Sequence, residues 1–163
     1  MKKAFTLIEL LIYISIFSLI LVFFLGFFWD TIFSGIRRNI FQDIQEQGYF
    51  AIFKIQREIK RAKSVNFPSQ GSSGNYLSLE MPDPDKNPTV FDLQEGKLRI
   101  TQGENPSYFL TSDSVKVDDL SFSNLSFSNT PGIIKIEIRI SSLNPFYQNS
   151  ITFRSSCALL PNK

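Results

Sequence analysis

The sequence predicts an α+β protein: a long N-terminal helix, membrane-spanning in its first half and amphipathic in its second, packed on an antiparallel β-sheet domain. Three observations carry this. No proline occurs in residues 5–67. Residues 10–29 are apolar or uncharged throughout, and apolar residues then recur at helical spacing. Beyond residue 75 the period of hydrophobicity falls to two, the mark of half-buried strands.

The apolar stretch comes first. Residues 10–29 would span about 30 Å as a helix, the thickness of a bilayer's hydrocarbon core. Lys2 and Lys3 precede it. They predict an N-terminus retained in the cytoplasm and a C-terminal domain outside, although Arg37 and Arg38 follow the span and weaken the bias. A cleaved secretory signal needs a shorter apolar core with a small-x-small site behind it, and residues 24–30 offer none. A plain single-span anchor explains the length and leaves Glu9 unexplained. A carboxylate inside a spanning segment is costly and marks function by default.

The motif Lys2-Lys3-Ala4-Phe5-Thr6-Leu7-Ile8-Glu9-Leu10-Leu11-Ile12 resembles the processing site of type IV prepilins and pseudopilins. The resemblance implies a basic leader cut between Ala4 and Phe5, N-methylation of Phe5, and Glu9 as the fifth mature residue. The family usually has glycine before the cut. Ala4 is the least intrusive replacement, and cleavage is expected, at a reduced rate. The resemblance further implies that the helix survives processing, first as anchor and then as filament core. There Glu9 would face the free amine of a neighbour's Phe5 and favour correct axial register.

The second half of the helix follows from spacing. Ile36, Ile40, Phe41, Ile44, Ala51, Ile52, Ile55, Ile59 and Ala62 form an apolar stripe. Arg37, Gln42, Asp43, Glu46, Lys54, Arg57, Lys60 and Arg61 form the polar face. Gly26, Gly35 and Gly48 are soft interruptions. Pro and Gly punctuation in 66–74 ends the helix, which would be roughly 90 Å long if unbroken to Ser64. The expected organisation is a leader at 1–4, a membrane helix and filament core at 5–29, its amphipathic continuation at 30–64, and a β domain at 65–163. In the resembled family this is a lollipop.

In the β domain, Tyr76, Leu77 and Leu79 read as a strand. Residues 89–93 and 97–101 flank Gln94-Glu95-Gly96 as a hairpin. Further strands are expected at 108–110, 115–122, 133–140 and 149–154, the clearest alternating Ile134, Ile136, Ile138 and Ile140 with Lys135, Glu137 and Arg139. One face of the sheet should close on the helix stripe. A tandem Leu-Ser-Phe-Ser-Asn at 120–124 and 125–129 has an odd period, which predicts a bulge or turn near Asn124. The order of elements loosely resembles the J-type minor pseudopilins, thought to sit at filament tips.

Composition narrows the chemistry. Lys+Arg 17 against Asp+Glu 15 leaves a formal net charge of +2, with no basic run beyond Arg37-Arg38. Direct nucleic-acid binding is not expected. Histidine is absent, removing the usual general base, and no phosphate loop or nucleophile elbow occurs. The single cysteine, Cys157, reads as a small buried residue. Asp83, Asp85 and Asn87 alternate like calcium ligands, but no closing glutamate follows, so a solvated turn is the better reading. Adjacent Asp118 and Asp119 should point to opposite faces of a strand. No enzyme activity, cofactor or metal is expected.

The resemblance therefore implies a structural subunit, a minor pilin or pseudopilin, of a type IV pilus, a type II secretion system or a DNA-uptake filament. The alternative is a membrane-tethered exported binding module that never assembles. Implied partners are the prepilin peptidase/methylase, major and other minor pilins, the inner-membrane assembly platform and membrane lipid. The implied location is the bacterial inner membrane, single-pass, with passage to a surface filament.

Overall fold

The computed structural model describes residues 6–127, 132–145 and 147–160. A helix, α1 (Leu7–Arg61), precedes the strands β1 (Ser64–Phe67), β2 (Ser73–Gly74), β3 (Leu77–Glu80), β4 (Thr89–Gln94), β5 (Lys97–Gln102), β6 (Tyr108–Phe109), β7 (Val115–Asn124), β8 (Ile133–Ser142) and β9 (Ser150–Ala158). The chain divides into two compact units, Met1–Asn39 and Ile40–Lys163, and α1 contributes to both.

In the first unit, every described residue of α1 is exposed, including Leu19 (74%) and Phe23 (77%). Such a surface is unfavourable in water and favourable in hydrocarbon. This stretch is long and apolar enough to cross a membrane. Three of its hydroxyls are satisfied locally. Ser15 Oγ donates to the Leu11 carbonyl (2.7 Å), Ser18 Oγ to Ile14 (2.8 Å) and Thr31 Oγ1 to Phe27 (2.9 Å), as a lipid-facing helix requires.

In the second unit, α1 buries Ile44, Ala51, Ile55 and Ile59 completely and Ile52 almost so, and Ala62, just past its end, is buried with them. Ile40 is partly buried against the same core. The sheet facing this stripe is split in two. A five-stranded sheet runs β1-β3-β4-β5-β6, a four-stranded one β2-β7-β8-β9, and all pairings are antiparallel. Val117 N–H donates to the Gly96 carbonyl (2.7 Å) and links them. The β4–β5 hairpin turns on Glu95 (φ 53°) and Gly96 (φ 73°), the left-handed pair of a two-residue loop.

Four expectations are corrected. The single sheet is two. The helix stops at Arg61 rather than Ser64, because Lys63 N–H leaves the helix to donate to the Glu80 carbonyl (2.8 Å) and Ser64 pairs with Glu80 as the first residue of β1. Asp118 and Asp119 do not take opposite faces, because β7 bulges between Val117 and Asp119. The bulge leaves both exposed, where regular alternation would have separated them. Finally, Gly48 is no soft interruption: it is buried, and a Cβ there would lie 2.2 Å from Phe153 Cε2. The repeat behaves as a chain departure. β7 ends at Asn124, whose Oδ1 accepts from Ser126 N–H (3.1 Å) and whose Nδ2 donates to the Pro68 carbonyl (2.9 Å).

Candidate functional site

The first turn of α1 is built by residues 6–9. Thr6 precedes the helix, and its carbonyl accepts from Leu10 N–H at 3.2 Å. Its Oγ1 accepts from Glu9 N–H (3.4 Å), while Glu9 Oε2 accepts from Thr6 N–H (3.4 Å) and Thr6 Oγ1 (3.2 Å). This reciprocal arrangement is a capping box, in which the cap and the third helical residue satisfy each other's free N–H groups. It also sets a carboxylate at the positive end of the helix dipole.

These distances sit at the long end of hydrogen-bond geometry, so Glu9 is oriented but not saturated. Its oxygens retain capacity for a stronger donor, and a cation is the strongest. None of the ion pairs among the described residues includes Glu9. Thr6 was not singled out from the sequence, although Thr-x-x-Glu before an apolar run is a legible cap signal. Lys2, Lys3, Ala4 and Phe5 lie outside the described residues.

Residues 1–25 match the family model described as the prokaryotic N-terminal methylation motif. In that segment the chain is similar to the type IV prepilins and pseudopilins. No match was found among curated proteins or solved structures. The prepilin-type segment joins the methylation motif to a membrane-length apolar helix, and the chain is pilin-like in fold as well: one long helix on antiparallel sheets.

The other positions raised by the sequence are held structurally. Asp83 caps a 3-10 turn, Pro84–Lys86, accepting from Asp85 N–H (3.2 Å) and Lys86 Nζ (2.6 Å). The bond from Lys86 and then that from Asp85 hold its carboxyl below the ordinary value. Asn87 Oδ1 accepts from Met81 N–H (3.0 Å). These oxygens serve a compact loop, which Gly103 meets closely through the Asp85 carbonyl. Cys157 is buried in β9, its Sγ 3.7 Å from the Gln56 carbonyl. Burial pushes the thiol up, and the Lys60 charge opposes this.

Proposed function

We propose that this chain is a minor pilin or pseudopilin, anchored in the inner membrane and then assembled through α1 into a filament of the pilus, type II secretion or DNA-uptake kind. The observation that carries the reading is a carboxylate, Glu9, held in the first turn of a membrane-length helix within the methylation motif. A prepilin peptidase would cut between Ala4 and Phe5 and methylate the new Phe5 amine. Lys2 and Lys3 would hold the leader on the cytoplasmic side until then.

The chemistry of assembly follows. Cutting before Phe5 places an ammonium beside the positive end of α1, an unfavourable position on its own. Glu9, one turn in, offsets it. In a bundle of apolar helices a carboxylate without a partner is costly, and a neighbour's Phe5 ammonium is the matching cation. Displaced subunits would leave both charges unpaired, so the pair selects register. The Thr6–Glu9 box survives the cut, because both residues are retained. Other pilins, the assembly platform and lipid are the partners this scheme requires.

Glu9→Gln keeps the shape and removes the charge. The loss of a desolvated pair costs about 2–5 kcal/mol, so the variant is expected in the membrane fraction at normal abundance and at least tenfold depleted from sheared filaments. Recovery of Glu9→Gln in filaments at the level of the unmodified chain would sink the pairing scheme.

A further inference from the structure

Strand β9 ends the four-stranded sheet and pairs with β8 alone. Leu159 N–H donates to the Gly132 carbonyl (2.8 Å) and Ser142 N–H to the Asn149 carbonyl (3.0 Å). This register turns the backbone groups of the odd-numbered residues toward β8. Those of Ser150, Thr152, Arg154, Ser156 and Ala158 therefore face outward. Among the described residues no backbone bond is made on that side.

Long free edges are normally guarded by proline, bulges or charge. β9 has no proline, and its pairing with β8 shows no bulge. Its one charged residue, Arg154, is bonded to Glu137 (2.9 Å).

A stripe of α1 runs beside this edge. Tyr49, Phe53, Gln56 and Lys60 stand at i, i+4, i+7 and i+11, on one helix face. Tyr49 meets Phe153 edge-to-face at 5.4 Å. Gln56 Nε2 donates to Ser155 Oγ at 2.7 Å, and the Gln56 carbonyl lies 3.7 Å from Cys157 Sγ, with Lys60 one turn on. The stripe thus tracks β9 from Phe153 to Cys157. It starts aromatic, with Tyr49 64% and Phe53 63% exposed, and ends basic at Lys60.

We propose that the open edge of β9 and this stripe form a docking site for an extended segment of a partner protein. The segment would add antiparallel to β9, acidic where it passes Lys60 and apolar where it crosses Phe53 and Tyr49. Backbone bonding supplies affinity in this mode and side-chain pockets supply selectivity. A second copy fits poorly, because its own β9 edge, Ser150–Ala158, holds no acidic residue to meet Lys60. The site lies within the unit Ile40–Lys163 and does not depend on the prepilin reading.

The test uses the full chain in detergent micelles and a capped octapeptide, Glu-Thr-Glu-Val-Thr-Val-Thr-Val, beside a version with Lys for Glu. Site-resolved amide exchange is expected to slow at least tenfold at Thr152, Arg154 and Ser156. Ile151, Phe153 and Ser155, already bonded to β8, should be unchanged. Thr152→Pro removes an outward N–H and spares the β8 ladder; Phe53→Ser removes an exposed ring. Each should weaken binding tenfold or more, and Phe53→Ser carries the test if the proline variant fails to fold. Unaltered edge amides at millimolar peptide would overturn the proposal, as would equal binding of the Lys version. Edge protection that rises with protein concentration alone would replace the partner by a second copy.

Discussion

A methyl group added at Gly48 should reverse the sign of an ordinary helix substitution. Glycine to alanine inside a helix stabilises by about 0.8–1 kcal/mol. At Gly48 the new Cβ would lie 2.2, 2.3 and 2.7 Å from Cε2, Cζ and Cδ2 of Phe153. That ring is only 8% exposed, sits opposite Ile138 of β8 and meets Tyr49 edge-to-face. It has little room to retreat, and overpacking of this kind costs about 1–3 kcal/mol. Gly48→Ala should therefore destabilise by up to about 2 kcal/mol once the helix gain is subtracted. With Phe153→Ala in place, the same change should stabilise by about 0.8–1 kcal/mol. The coupling across the double-mutant cycle is then the clash itself, about 1–3 kcal/mol. Urea unfolding of the full chain in micelles, followed by the tyrosine near-ultraviolet signal, reads all four variants. Equal stabilisation in both backgrounds, and hence no coupling, would refute the packing of β9 on α1 at this point.

Glu58 is 2% exposed and 3.4 Å from both Lys54 Nζ and Arg57 Nη2, so a substitution that leaves its partners behind should be costly. Glu58→Gln is expected to cost about 1–3 kcal/mol in urea midpoint analysis, and replacing Glu58 and Lys54 together by Met should recover most of it. Glu137 predicts an acid dependence. The hydrogen bond from Arg154 holds its carboxyl below the ordinary value. Its stabilisation is therefore full above the unfolded carboxylate value and lost as pH falls through the lower folded one. Arg154→Ala should flatten the loss of stability in that window, measured by urea midpoints over an acid pH series; an unchanged slope would contradict it.

The parts that were legible in the sequence are those with a strong local period. Ile134, Ile136, Ile138 and Ile140 alternate without interruption, and all four are fully buried. The β4–β5 hairpin was marked by Glu95-Gly96, whose left-handed backbone favours glycine. Strand β1 was hidden because Ala62 and Lys63 carry no breaker, and a tertiary bond to Glu80, rather than local chemistry, ends the helix. The β7 bulge leaves no residue signature at Asp118. Gly48 read as a weakness because the ring that needs its space, Phe153, is remote in sequence. At the N-terminus, the charge of Glu9 inside an apolar run was plain. Thr6 was overlooked because its role is set by spacing to Glu9, not by being unusual where it stands.

The mature N-terminus tests the central claim most directly. Mass spectrometry of the chain isolated from its own membranes should find Phe5 as the first residue, one methyl group heavier than the unmodified amino acid, with residues 1–4 gone. An intact Met1, or a cut near residue 30 that discards the apolar helix, would contradict the account.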